Sequence, residues 1–70
     1  MKIVLNGDIK EIKSSENNQS SIQDLINELN IKKETVVAEL DGKIIESKVF
    51  DKTMLYENAR LELIRFVGGG

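Results

Sequence analysis

The chain closes with Leu63-Ile64-Arg65-Phe66-Val67-Gly68-Gly69-Gly70, and three of its five glycines occupy those last positions. Glycine lacks Cβ, so three in a row behind a strand-like stretch cannot pack, and ordering them costs entropy. They read as a thin, flexible tail. From Phe66 onward the extended chain reaches roughly 17 Å, enough to carry the terminal carboxylate off the domain and into a narrow cleft of another protein. That carboxylate, on Gly70, is the one reactive group the tail offers. An ordinary pKa of about 3.5 leaves it ionised and poorly electrophilic at neutral pH. A mixed anhydride with AMP would supply a good leaving group and open the acyl carbon to a sulfur or nitrogen nucleophile. Such activation has to come from a partner enzyme, because no phosphate-binding glycine loop precedes a helix in this chain. Two bland readings compete: simple fraying, and a scar left by cloning or proteolysis.

Little else in the composition could do chemistry. Histidine and cysteine are both absent, which removes the usual thiolate and imidazole metal ligands and the commonest general base. No metal site is expected, and no catalytic residue. The net charge is -2 with ten basic residues interspersed among twelve acids, so a phosphate backbone finds no basic stripe and nucleic acid is not an expected partner. No apolar run approaches the roughly 20 residues of a membrane helix, and Met1-Lys2-Ile3-Val4-Leu5 is too short for a signal peptide. A cytoplasmic location is expected. Seventy residues make one domain, near the size where a single core becomes marginal.

The elements that would position the tail follow from periodicity. Met1, Ile3 and Leu5 alternate with polar or outer residues as a one-faced strand, and Asn6-Gly7 suits a tight hairpin. The return strand is expected from Lys10 to Lys13, with a bulge or boundary where Ile9 and Ile12 depart from alternation. Residues 14–20 are polar and aperiodic, a solvated loop. Ser21 and Asp24 form a capping-box variant ahead of Ile22, Leu25, Ile26 and Leu29, one apolar helical stripe that reads as core. Val36, Ala38 and Leu40 alternate again, and Asp41-Gly42 turns the chain into Lys43-Ile44-Ile45. Ser47 to Lys52 is expected as a loop or short helical turn pinned by Val49 and Phe50. Met54, Leu55 and Tyr56 follow as further packing groups. The final strand runs from about Arg60 to Val67.

Along that strand Leu61, Leu63 and Arg65 share one face, and Glu62, Ile64 and Phe66 the other. One helix covers one face of a sheet. The expectation is an α+β domain over residues 1–67: a mixed sheet of about five strands, one main helix on one face, and residues 68–70 as the tail. Ile64 and Phe66 then lie on the uncovered face, either as ordinary exposed apolar residues or as a contact surface.

Ala59 to Gly70, ARLELIRFVGGG, resembles the last strand and di-glycine tail of the ThiS family, the β-grasp sulfur carriers of thiamin biosynthesis related to ubiquitin. Glu39 to Ile45 resembles the middle hairpin of that family, and Leu5-Asn6-Gly7 and SIQDL at Ser21–Leu25 fit as well. The family's Asp-Gly-Asp turn before the final strand is Glu57-Asn58-Ala59 here. The resemblance implies a non-enzyme carrier, with no cofactor of its own, that serves as co-substrate of other enzymes. A ThiF-like enzyme would use ATP and Mg to adenylate Gly70, a sulfur donor protein would convert it to a thiocarboxylate, and a ThiG-like thiazole synthase would take the sulfur. Gly69 and Gly70 would thread the partners' active sites and Gly68 would give slack. Phe66 and Val67 would anchor the tail's root, Ile64 would extend the apolar patch, and Arg65 would meet acids at a partner's rim. The small subunit of molybdopterin synthase, which uses the same tail chemistry, stays open as an alternative, as do a protein modifier that forms isopeptide bonds to lysine and an interaction module with an inert tail.

Overall fold

A computed structural model describes residues 1–13 and 19–66. Strand β1 (Lys2–Leu5) turns through Asn6-Gly7 into β2 (Asp8–Glu11). Asn6 at φ 50° and Gly7 at φ 87° supply the two left-handed residues of a two-residue hairpin turn, whose twist matches that of the strands. The return strand therefore begins at Asp8, earlier than the expected Lys10. No bulge is present: pairing runs unbroken from Leu5 with Asp8 to Lys2 with Glu11. Ile9 and Ile12 are three apart, so they simply point to opposite faces; Ile12 is buried and Ile9 exposed.

Ser20–Ser21 forms a two-residue strand, β3, ahead of helix α1 (Ile22–Glu28). Ser20 belongs to this strand and is buried, not part of a solvated loop; Gln19 is exposed as expected, and residues 14–18 of the expected loop lie outside the described residues. The capping box is formed as expected, with the Asp24 N–H donating to Ser21 Oγ and the Ser21 N–H to Asp24 Oδ2, each at 3.0 Å. At the other end Asn30 takes φ 59°. Its N–H donates to the Asn27 carbonyl at 3.1 Å, and the Ile31 N–H to the Ile26 carbonyl at 2.8 Å. These two bonds are a Schellman closure with Asn in the place usually held by Gly.

A short 3-10 turn (Lys33–Thr35) leads to β4 (Val36–Leu40), which turns at Asp41-Gly42 into β5 (Lys43–Ile45). A second 3-10 segment, Ser47–Lys52, drives Phe50 fully into the core. Strand β6 (Met54–Leu55) pairs antiparallel with β3, and β7 (Arg60–Arg65) is the last strand among the described residues. The order β2-β1-β7-β4-β5 places β7 at the centre, parallel to β1 and antiparallel to β4. The expected strand ran to Val67; the sheet pairing ends at Arg65, and Val67 lies outside the described residues.

Helix α1 covers one face of this sheet. Ile22, Leu25 and Ile26 meet Ile3, Ala38, Leu40, Leu61 and Leu63 in one cluster closed by Phe50 and Leu55. Mixed sheet, single main helix and one-sided core together are the α+β arrangement that the sequence pattern leads one to expect, and they fit the β-grasp fold that the resemblance implies. Among the described residues, no helix is long and apolar enough to cross a membrane.

Candidate functional site on the uncovered sheet face

Strand pairing fixes what lies on the face away from α1. Ile64 of β7 stands opposite Val37 of β4. Glu39, the next β4 residue on that face, lies between Glu62 of β7 and Ile44 of β5. Ile44, Ile64 and Phe66 are 63%, 52% and 57% exposed, and Val37 is half-buried beside them. Ile44, Val37 and Phe66 also line a groove of about 390 Å³ together with charged residues of both signs, Lys33, Glu34, Glu46 and Lys48. An apolar patch spanning three strands, with charged groups at its margin, is the form of a protein-contact surface.

The sequence pattern placed Ile64 and Phe66 on this face, and the structure brings them together there. Val37 and Ile44 escaped that reading. Their signal was present: Val37 is out of phase with Val36, Ala38 and Leu40, and the two-residue turn at Asp41-Gly42 dictates which β5 residue shares its face. Arg65 is exposed but points to the other side of β7, opposite Val36. It therefore does not join Ile64 and Phe66 in one patch. Val67, Gly68, Gly69 and Gly70 lie outside the described residues.

Next to the patch, across β4 and β7, the face turns polar. Glu39 and Glu62 are direct cross-strand neighbours, a like-charge pairing that weakens the sheet. Arg60, Asp41 and these two glutamates share a second hollow. Farther across, Val4 pairs with Ile9, and Glu11 lies at the sheet edge. The Glu11 carboxylate accepts a 2.7 Å hydrogen bond from the N-terminal ammonium. That bond holds its pKa below the usual glutamate value, with the ammonium's charge and Lys2 adding to it. Among the described residues no group of three or more acids, His or Cys could hold a metal.

β7 owes its position to two turn residues as well as to its ladders. The Asn6 N–H donates to the Leu61 carbonyl at 2.9 Å, and the Leu63 N–H donates to Asn6 Oδ1 at 2.8 Å. The side-chain amide thus takes over where β1 turns away and can offer no further carbonyl. On the opposite flank the Arg60 N–H donates to Asp41 Oδ1 at 2.9 Å and the Asp41 N–H to the Arg60 carbonyl at 2.8 Å. Both residues sit at positive φ, 50° and 48°, which Asn and Asp tolerate better than other side chains. Asn58, ahead of β7, is at φ 67° and so adopts the backbone state that a glycine there would take.

The sequence profile of the ThiS family matches residues 3–70. The crystal structure of a thiamine biosynthesis protein (ThiS) from Geobacter metallireducens superposes with a TM-score of 0.81 at 28% identity, covering 100% of both chains. A solution NMR structure of a thiamine biosynthesis protein from the same organism gives 0.78 at 28% identity, covering 100% of this chain and 88% of that one. A search of the curated proteins gives no match. With the family profile running through the sheet, the helix and the glycine tail alike, the chain belongs to the ThiS family.

Proposed function

We propose that this chain is a cytoplasmic sulfur carrier of thiamin biosynthesis that works through the carboxyl group of Gly70. The observation that carries the reading is the family match, which extends through the terminal glycines and is accompanied by a similar fold over the whole chain. The exposed apolar patch beside the end of β7 supports it, because a carrier must be docked before its terminus can be used.

The chemistry divides between the chain and its partners. A ThiF-like enzyme brings ATP and Mg, and the Gly70 carboxylate oxygen attacks the α-phosphorus with release of pyrophosphate. A sulfur nucleophile at the sulfide level then attacks the acyl carbon, AMP leaves with the bonding electrons, and the terminus becomes a thiocarboxylate. A ThiG-like thiazole synthase accepts that sulfur. The chain's own part is to present Ile64 and Phe66 for docking and to deliver Gly68, Gly69 and Gly70 as a thread without side chains. Arg65, on the opposite face of β7, is available to an acid at the rim of a partner that wraps the strand end. Binding is transient, since one carrier visits more than one enzyme and each visit orders the tail.

Intact-mass analysis after incubation with ATP, Mg, a ThiF-type enzyme and sulfide tests this reading. One oxygen exchanged for sulfur is expected, and deletion of Gly70 should abolish the exchange while leaving the unfolding midpoint unchanged. An unaltered mass under conditions that charge a known carrier would refute it.

A further inference from the structure

The main chain is held once more after β7 ends. The Phe66 N–H donates to the Thr35 carbonyl at 2.9 Å, one step beyond the last ladder pair, Val36 with Arg65. In a hydrogen-bonded antiparallel pair the two residues exchange both bonds. Here only one is made, because the Thr35 N–H is turned away to the Lys32 carbonyl, at 2.9 Å. Thr35 Oγ1 donates to the same carbonyl at 2.7 Å. Both donors of Thr35 therefore grip one acceptor and fix the carbonyl that holds Phe66. Thr35 is exposed and has no place in the core cluster, so core packing does not explain the arrangement.

We infer that the Lys33–Thr35 turn positions the carrier's C-terminal chain, with Thr35 as the positioning residue: it sets where the main chain leaves the sheet. This rests on the carrier reading above. Attack of a carboxylate on a phosphorus atom depends steeply on approach geometry, and a misplacement of about 1 Å can cost on the order of 100-fold in rate. A root held at Phe66 narrows the volume that the terminus searches once the body is docked. A root freed at Phe66 would leave docking intact and make productive approach rarer.

The test compares Thr35→Val, which keeps the branched shape and removes the hydroxyl donor, with Thr35→Ser, which keeps the donor. Two quantities are read: amide hydrogen exchange at Phe66, and ATP–pyrophosphate exchange catalysed by a ThiF-type enzyme as carrier concentration is varied. For Thr35→Val, Phe66 exchange should rise about two- to ten-fold, as expected for loss of one neutral hydrogen bond, while the Leu61 and Leu63 amides keep their protection. The kcat should fall with the KM for carrier little changed, and Thr35→Ser should restore both. Unchanged Phe66 exchange overturns the inference, as does faster exchange with an unaltered kcat. Loss of protection throughout β7 would show a merely structural role and overturn it equally. If the unsubstituted chain supports no pyrophosphate exchange, the carrier reading fails by itself; the Phe66 amide then still decides whether the turn holds the strand end.

Discussion

Leu61 and Leu63 on one side of β7 and Ile64 on the other are chemically alike, and strand alternation alone sends them into opposite surroundings. The two leucines lie under α1 with almost no exposure, whereas Ile64 keeps about half its surface in water, next to Phe66, Val37 and Ile44. Leaving such side chains half exposed forgoes on the order of 1 kcal/mol each relative to full burial. Hydrophobicity therefore does not distinguish a core residue from one on the open face of a sheet. The distinction comes from which face the single helix covers.

Substitutions can break or sharpen that contrast. The largest effect is expected from Leu61→Ala, which should lower unfolding free energy by about 2–5 kcal/mol through lost burial and a residual cavity; a urea titration measures it, and a loss below 1 kcal/mol would place Leu61 outside the core. Phe66→Asp should change stability by no more than about 0.5 kcal/mol yet weaken binding to a ThiF-type enzyme by about 2 kcal/mol or more if the ring is an anchor. Unchanged affinity in a pull-down or titration would remove the patch from the docking surface. Asn6→Gly keeps the turn's backbone freedom but orphans the Leu63 N–H, so a cost of about 1–3 kcal/mol is expected, visible as faster amide exchange at Leu63. Glu62→Gln relieves the opposed charges at Glu39 and should raise stability by about 0.2–1 kcal/mol; a loss would mean that Glu62 has a compensating partner.

The smallest effect concerns acid. The folded-state pKa of Glu11 lies below the ordinary value of 4.5, so its contribution to stability is present above that value and is lost as pH falls through the lowered one. Stability of the Glu11→Gln variant should accordingly depend less on pH over this range than that of the unsubstituted chain. Identical acid limbs would show that the ammonium contact is not maintained in solution.

Much of this architecture is legible from local pattern. Asn6-Gly7 and Asp41-Gly42 declare both hairpins, Ser21 and Asp24 declare the helix start, and the stripe from Ile22 to Leu29 declares the core side. What escapes is tertiary. Ile9 and Ile12 suggest a bulge only until the short turn fixes the register and assigns them to different faces. The β3–β6 ladder joins residues that carry no strand pattern of their own, and it forms because neighbouring elements bring them together. The links from Asn6 to Leu63 and from Asp41 to Arg60 join residues far apart in sequence, so no local window contains them. For the candidate site, Ile64 and Phe66 are readable from alternation, but their neighbours Val37 and Ile44 require the pairing of β4 with β7 and β5.

Because β7 is the middle strand and runs parallel to β1, a force applied between the start of β1 and the end of β7 would act along the strands. The ladder would then be loaded in shear, its bonds sharing the strain, where a peeling geometry would break them one after another. A body built this way should resist being pulled apart between those two points, and its resistance should track the barrier to unfolding more closely than the equilibrium free energy.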